Sequence, residues 1–189
     1  MIAYSATTGK TVWTVDLGLG ISAPPITYRL NGRQYLALLV GWGGAAAGLG
    51  QGLEGWAYGV HRRRLVGFSL EGKAELPKQP APYFPKPIVI PGYKIDPALA
   101  EKGGSIWGLC GSCHGGGMIA GGMAPDLRAS GVPLAAPVFE QVVRGGAKVN
   151  RGMPSYPNLT DEDLLALQHY IRKKAHEPET TARPASGGQ

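Results

Sequence analysis

One five-residue motif constrains this chain more than any other feature. Residues 110–114 read Cys-Gly-Ser-Cys-His, and the chain has 2 cysteines in all. Cys110 and Cys113 are one helical turn apart, so each thiol can add to a vinyl group of the same porphyrin. The imidazole of the next residue, His114, then lies beneath the ring, within reach of the iron. The motif predicts one covalent c-type haem on Cys110 and Cys113, with His114 as the proximal ligand.

The Cys-x-x-Cys pair has three other known uses: a thioredoxin-like redox couple, half of a zinc site, and a plain disulfide. A zinc site needs two further ligands, and the chain contains no other cysteine. A redox couple does not require the histidine. Haem attachment uses all three residues, and the glycines at 115–117 allow the backbone to pack against a flat macrocycle.

An electron-transfer haem also needs a second axial ligand, commonly methionine or histidine. Met118 and Met123 follow the motif so closely that the chain can hardly reach the opposite face of the ring. Met153 stands farther on, in a Gly-Met-Pro tripeptide that should form a rigid turn and present the thioether. We therefore expect Met153 to be the second ligand of the iron.

Two residues between these ligands are candidates for supporting roles. A proximal imidazole usually donates its other N–H to a carbonyl group, which fixes the orientation of the ring. Pro125 is the candidate for that carbonyl, and Arg128 is the candidate partner of a haem propionate. An ordinary turn with a solvated arginine is equally compatible with this sequence.

Helix signals dominate after residue 95. Asp96 is suited to N-cap a helix that has a proline at its first position. A second helix is expected around residues 137–144. Trp107 and Tyr170 are expected to pack the first helix of this part against the last.

The last helix has the clearest boundaries. It should begin at Thr160, with Asp163 three residues later as a capping-box pair. Acidic residues in its first turn and the basic run 172–174 in its last turn both match the helix dipole. His169 and His176 are expected to be surface residues of this helix.

The N-terminal part reads as β-structure. Asn31 and Gly32 separate two strand-forming runs, which is a strong signal for a type I′ hairpin. We expect one antiparallel sheet of four short strands with two open edges, which would be marginal alone and looks like part of something larger. The runs rich in β-branched and aromatic residues are 11–15, 26–30, 34–40 and 64–70.

Changes in composition divide the chain into four segments. A proline-rich linker favours an extended path because it offers few amides to a sheet. A terminal tail of small and polar residues is expected to be disordered. The predicted boundaries are 1–72 for the β-segment, 73–95 for the linker, 96–178 for the helical domain and 179–189 for the tail.

Charge and hydropathy limit the partners. The net charge is +6, but its densest cluster is the short run 62–64, and no aromatic-basic binding pattern surrounds it. We read this charge as a solvated surface with a docking role for an acidic redox partner, and expect no nucleic acid. The uncharged stretch 35–53 is too rich in glycine to span a membrane, and no signal peptide is visible, so we expect one upstream.

The C-terminal motifs together resemble class I cytochrome c domains. The resemblance covers about residues 96–175 and implies a small all-α fold around one haem. It rests on the Cys-x-x-Cys-His-Gly motif, Pro-Asp-Leu-Arg at 125–128, Gly-Met-Pro at 152–154 and the amphipathic run 164–171.

The N-terminal part resembles a segment of the PQQ-dependent quinoprotein dehydrogenases. Residues 3–13 are similar to their tryptophan-docking repeat, with Ser5 where those repeats usually carry Asp. The layout as a whole is similar to the C-terminal end of quinohaemoprotein alcohol dehydrogenases. That end comprises the closing segment of an eight-bladed β-propeller, incomplete here, followed by a cytochrome. The resemblance places part of the quinone pocket at Gly44 and Ala45, with Trp42.

The resemblance implies electron transfer by the cytochrome domain of a PQQ-dependent alcohol dehydrogenase. Electrons would pass singly through the haem to an external acceptor, a cytochrome or a copper protein, in the periplasm. The family's catalytic aspartate and its Ca²⁺ ligands belong to earlier blades. PQQ and Ca²⁺ are therefore expected only in the complete parent enzyme, and the chain needs the missing propeller portion as a partner. No catalytic residue is expected here.

Other functions remain open on the sequence. The main alternative is a stand-alone or split-subunit periplasmic cytochrome c with no dehydrogenase activity. A complete quinoprotein activity in this chain predicts PQQ- and Ca²⁺-dependent dye reduction. A haem-based sensor or peroxidase needs a vacant sixth position on the iron, which carbon monoxide binding would reveal.

Overall fold

A computed structural model describes residues 1–21, 23–41, 59–115, 118 and 123–178. The described residues of Met1–Gly43 and His61–Pro82 form one compact unit, and those of Gly44–Val60 and Tyr83–Gln189 form a second. The division after Pro82 falls inside the segment expected to be a linker. The predicted tail, 179–189, lies outside the described residues.

The N-terminal unit contains two antiparallel sheets within its described residues, so the expectation of a single four-stranded sheet was wrong. The unpredicted strand β1 is only three residues long, too short to show an alternating pattern, and it pairs with β2 alone. The second sheet has the order β3-β4-β5. The strands are β1 Ile2–Tyr4, β2 Thr11–Thr14, β3 Ile26–Leu30, β4 Arg33–Val40 and β5 Arg64–Ser69.

The turn between β3 and β4 confirms the predicted hairpin. Asn31 and Gly32 have φ values of 49° and 75°, the left-handed pair that a type I′ turn requires. Leu30 pairs directly with Arg33 across the turn, which sets the register of the antiparallel ladder.

Both faces of the β3-β4-β5 sheet carry apolar side chains. Leu38 and Val66 pair across β4 and β5 and are buried in the unit's core. The neighbouring pair, Leu39 and Leu65, points to the other face because side chains alternate along a strand. These two side chains are 57% and 72% exposed. One face of the sheet therefore forms the core of this unit, and the other is left open.

The C-terminal unit is helical, as predicted. Among the residues that the structure describes, its helices are α1 Pro97–Ile106, α2 Gly108–His114, α3 Ala136–Val143 and α4 Asp161–His176. Three single 3₁₀ turns connect them, Leu127–Ala129, Val132–Leu134 and Val149–Arg151.

The ends of α1 and α4 form as the sequence predicts. The Asp96 carboxylate accepts hydrogen bonds from the amides of Ala98 and Leu99, which caps α1. Thr160 and Asp163 form a complete capping box at the start of α4. Both helix starts are therefore encoded locally.

Helices α1 and α4 cross in close contact at a glycine. A Cβ placed on Gly103 would lie 2.6 Å from the carbonyl carbon of Ala166 and 2.8 Å from Cβ of Tyr170. The rings of Trp107 and Tyr170 are 5.8 Å apart, which confirms the predicted packing of the first helix against the last. Lys102 of α1 adds ion pairs to two acidic residues in the first turn of α4.

One face of α4 is buried, including two residues that the apolar pattern does not predict. Leu164, Leu167 and Ile171 form the expected stripe. Gln168 is also buried, and Arg172 has no exposed surface at all. The sequence counts Arg172 with the basic last turn of the helix, but its side chain is directed into the domain. Its guanidinium binds backbone carbonyls that the rest of the domain supplies.

No helix within the described ranges is both long enough and apolar enough to cross a lipid bilayer.

Candidate haem-binding site

Helix α2 carries both cysteines and the histidine of the motif. It follows α1 after a single residue, Trp107, whose carbonyl accepts hydrogen bonds from the amides of Cys110 at 2.9 Å and Gly111 at 2.8 Å. Both thiols are half-buried, and neither forms a disulfide. Burial, together with the nearby thiol of Cys113, raises the pKa of Cys110 to about 11, so Cys110 is a neutral thiol at physiological pH.

Trp107 also fixes the end of α2. Its indole N–H donates a 3.1 Å hydrogen bond to the carbonyl of Gly115, directly after the motif. Gly115 has φ 92°, a conformation that strongly favours glycine. The ring centroids of Trp107 and His114 are 6.4 Å apart. Trp107 therefore holds the chain at the residue that follows His114.

His114 is buried, and the atom Nδ1 lies 2.8 Å from the carbonyl oxygen of Pro125. A carbonyl can only accept, so this hydrogen bond requires the proton on Nδ1 and leaves the lone pair of Nε2 free. Burial lowers the pKa of His114, while the Pro125 carbonyl and the charge of Asp126 act in the opposite direction. The result favours a neutral imidazole, the form that binds a metal.

The segment after Pro125 contains a buried ion pair. Arg128 donates from Nε to Oδ1 of Asp126 at 3.1 Å and from Nη2 to Oδ2 at 2.7 Å. Asp126 also caps the 3₁₀ turn Leu127–Ala129 by accepting from the amide of Arg128. Two of the three guanidinium nitrogens of Arg128 thus have a partner within the chain, which sequence reasoning did not identify. Its pairing with a propionate stays a prediction.

Met153 lies in a turn beside α2. Gly152 has φ 87°, and Met153 is half-buried against the core cluster of this unit. Three residues on, the hydroxyl of Tyr156 donates a 3.0 Å hydrogen bond to the carbonyl of Leu109 in α2. Burial raises the pKa of Tyr156, with a smaller contribution from the two thiols of the motif. These contacts place the 153–156 turn next to the helix that carries the cysteines.

Met118 and Met123, the other methionines that follow the attachment motif, lie outside this turn. Met118 is fully buried in the core cluster and has φ 61°, an unusual value for a residue with a side chain. Met123 is partly buried, two residues before Pro125.

The two histidines of α4 are partly exposed, and each has a structural partner that the sequence did not predict. Nδ1 of His169 accepts from the amide of Asp96 at 3.0 Å, and Nε2 of His176 accepts from the amide of Ile90 at 3.2 Å. The ring of Tyr93 lies 5.9 Å from one imidazole and 6.3 Å from the other. Together they fasten the segment before α1 to α4. His169 and His176 are two helical turns apart and so lie on one face of α4, and this spacing was the sequence signal that could have indicated a shared packing partner.

The donor set fits a c-type haem. Two thiols one turn apart and an imidazole with a free Nε2 meet on one short helix, and a carbonyl holds the other ring nitrogen. The described residues contain no cluster of three or more His, Cys, Asp or Glu side chains that could hold a separate metal ion. The residues predicted to contact a quinone, Trp42, Gly44 and Ala45, lie outside the described residues.

Comparison with known proteins defines the class of this site. Residues 99–171 match the family described as cytochrome c oxidase, cbb3-type, subunit III. Together with the helical fold and the attachment motif, this match makes residues 99–171 a cytochrome c domain, with haem c as its cofactor.

The relatives of the chain share more than this domain. It is 37% identical over 94% of its length to quinohemoprotein alcohol dehydrogenase ADH IIB of Pseudomonas putida, of which it covers 26%. It is 37% identical over 98% of its length to the dehydrogenase subunit of alcohol dehydrogenase (quinone) of Gluconobacter oxydans, of which it covers 25%. The solved structure of quinohemoprotein alcohol dehydrogenase ADHIIG from Pseudomonas putida HK5 matches 93% of the chain with a TM-score of 0.71 and 35% identity, and 25% of that structure is covered.

The homologues of this chain are thus quinohemoprotein alcohol dehydrogenases, and the chain corresponds to their C-terminal part. This confirms the resemblance that the sequence motifs indicated. The chain spans about a quarter of the length of the curated relatives it matches.

Proposed function

We propose that the cytochrome domain relays single electrons through one haem, bound covalently by Cys110 and Cys113 and ligated by His114 and Met153. The observation that carries this proposal is the buried imidazole of His114, which lies on the same helix as both thiols and whose Nδ1 is 2.8 Å from the carbonyl oxygen of Pro125. The bound haem supplies one-electron redox chemistry at iron. If His114 and Met153 both ligate the iron, no position would remain open for a substrate, which would favour electron transfer over bond chemistry.

We further propose that the N-terminal unit packs within a larger β-propeller that binds PQQ and Ca²⁺ and oxidises an alcohol. Support comes from the names of the relatives and from the open apolar face of the β3-β4-β5 sheet, where Leu39 and Leu65 are exposed. Trp42, Gly44 and Ala45 would contribute one wall of the quinone pocket. Without the remaining blades, the chain should not oxidise alcohols by itself.

In this proposal the electrons leave one at a time for an external cytochrome or copper protein. The net charge of +6 suits an acidic acceptor. We place the protein in the periplasm, because attachment of a c-type haem needs reduced thiols and a maturation system outside the bacterial cytoplasm.

The attachment is tested by co-expressing the chain with a bacterial haem-ligation system and measuring its mass and visible spectrum. We expect a coloured product whose mass exceeds that of the apoprotein by one haem. Cys110→Ala and Cys113→Ala should each leave a single thioether link, and the double variant should lose covalent haem. A colourless wild-type product with the mass of the bare polypeptide would contradict the proposal.

The second ligand is tested by voltammetry of the haem-loaded Met153→His variant. Histidine is a stronger donor to oxidised iron than a thioether, so the midpoint potential should fall substantially. Met123→Leu is the matched control, because it removes a methionine that lies close to the attachment motif. If Met153→His keeps the wild-type midpoint, Met153 is not the ligand.

The propeller assignment is tested by deleting residues 1–72. If the open sheet face normally packs against other blades, the deletion should increase the soluble yield of haem-loaded protein. An equal or lower yield would argue that this unit is self-sufficient.

A further inference from the structure

We infer that Arg172 is a positioning residue of the haem site, which holds the Pro125 carbonyl against His114 through the backbone between them. The inference rests on the proposed role of His114 as the proximal ligand. Arg172 lies on α4 and contacts neither His114 nor Pro125 through the hydrogen bonds of its side chain. Its effect on the site is therefore indirect.

Arg172 is a buried cation whose hydrogen-bond partners are all backbone carbonyls. Nη1 donates to Ile88 at 3.0 Å, and Nη2 donates to Leu127 at 3.0 Å and to Arg128 at 3.4 Å. Nε is buried without a hydrogen-bond partner. Burial lowers the pKa of Arg172, which reflects the cost of removing its charge from water.

Burying this charge costs free energy of desolvation, which a side chain that only filled space would not need to overcome. Leu167 and Ile171 on the same helix are apolar, and an apolar residue at position 172 could fill the same space without a charge being removed from water. What arginine adds is a planar fork of donors that can bind two separate backbone segments at once. Arg172 does this by joining the segment at Ile88 to the turn at Leu127 and Arg128.

The clamped turn is directly connected to the proximal carbonyl. Leu127 is two residues after Pro125, and Asp126 between them is fixed by its ion pair with Arg128. The carbonyl of Arg128 also accepts a 2.9 Å hydrogen bond from the amide of Ile88. With Asp126, Leu127 and Arg128 all held directly after Pro125, the Pro125 carbonyl has little freedom to rotate away from the imidazole.

Gln168 provides a matched comparison one turn earlier on α4. It is buried, and its Nε2 donates a 2.7 Å hydrogen bond to the carbonyl of Pro133. It thus makes the same kind of contact from the same helix, but at a point eight residues beyond Pro125. Loss of either side chain should destabilise the domain, but only loss of Arg172 should loosen the proximal hydrogen bond.

The experiment uses the haem-loaded full chain and its variants Arg172→Met, Arg172→Lys and Gln168→Met. The readout is the solvent-exchange rate of the His114 Nδ1 proton, measured by NMR in the reduced, diamagnetic state. We expect Arg172→Met to speed this exchange about tenfold, because the hydrogen bond between His114 Nδ1 and the Pro125 carbonyl would no longer be restrained. Arg172→Lys keeps the charge without the planar fork and should fall between Arg172→Met and the wild type. Gln168→Met should stay within about twofold of the wild type.

Unfolding measurements on the same samples separate positioning from stability. Equal exchange rates in Arg172→Met and Gln168→Met, at a similar loss of stability, would overturn the inference. If Arg172→Met does not fold, Arg172→Lys decides, and a wild-type exchange rate in that variant would also overturn it. A wild-type chain without covalent haem would instead refute the proposed function, which is a distinguishable result.

Discussion

The helix crossing at Gly103 allows a stability prediction to be worked out from the structure. The added methyl group of Gly103→Ala would lie 2.6 Å from the carbonyl carbon of Ala166 and closer still to its oxygen. Ordinary contacts between heavy atoms are about 3.5–4.0 Å, so the two backbones must separate by roughly 1 Å. The obstacle is helix backbone, which cannot move without shifting α4 as a whole.

The net cost combines two opposing terms. Overpacking of this kind costs about 1–3 kcal/mol, and a contact with rigid backbone belongs at or above the upper end. Alanine favours the helix over glycine by about 1 kcal/mol. We therefore expect Gly103→Ala to lower the free energy of unfolding by about 2 kcal/mol. For a domain of this size, that corresponds to a fall in the midpoint temperature of roughly 8–16 °C.

The assay is thermal unfolding of the haem-loaded chain, followed by circular dichroism of the helices. Gly108→Ala is the matched control, because no atom lies within 4 Å of its added methyl group, and it should be neutral or slightly stabilising. Gly104→Ala should be intermediate, since it meets the side chain of Tyr170 at 3.2 Å, and an aromatic ring can shift. Equal midpoints for Gly103→Ala and Gly108→Ala would refute the close-crossing argument.

Three further predictions concern local structure. Thr160→Ala should lower the free energy of unfolding by about 1 kcal/mol in denaturant titrations, whereas Thr160→Ser, which keeps the capping oxygen, should not. The pKa of Asp163 is lowered to about 2, first by the hydrogen bond from the Thr160 amide and then by the one from Lys102. The ionised carboxylate therefore stabilises the fold fully at a pH above the ordinary pKa range of a carboxyl group, and this stabilisation is lost as the pH falls through about 2. Asp163→Asn should therefore flatten the acid limb of the stability curve, and an unchanged limb would contradict this. At position 32 there is room for the methyl group of Gly32→Ala, but the φ of 75° is unfavourable for alanine. The substitution should therefore destabilise the β3-β4 hairpin by about 1–2 kcal/mol, measured as faster amide exchange in its strands. Gly32→Asn should cost less, and equal exchange rates in Gly32→Ala and Gly32→Asn would argue against backbone strain.

The features that sequence reasoning predicted well depend on nearby residues. The Asn31-Gly32 hairpin and the capping box at Thr160 are each encoded within a few positions. The structure also places the Pro125 carbonyl at hydrogen-bond distance from His114, eleven residues away. This contact could be anticipated because the chemistry of an iron-binding imidazole calls for a carbonyl.

The features that were missed depend on distant backbone. Arg172 and Gln168 were not expected inside, because charged and polar side chains are normally counted with the solvated face of a helix. Their burial is possible only because Ile88, Leu127 and Pro133 supply carbonyls from segments 35 or more residues away. No periodicity within α4 contains that information. A residue pattern reports which side chains avoid water, but it does not report where unpaired carbonyls will be.

The proximal side of the site explains why a carbonyl and an ion pair occur together. Burial lowers the pKa of His114, whereas the Pro125 carbonyl and then the negative charge of Asp126 raise it toward the imidazolium form, which cannot bind iron. Arg128 binds both oxygens of that carboxylate and places a positive charge beside it. The hydrogen bond from Nδ1 goes to the neutral Pro125 carbonyl, which orients the ring and cannot take its proton. The ion pair thus occupies the carboxylate of Asp126, while the carbonyl sets the direction of the His114 ring.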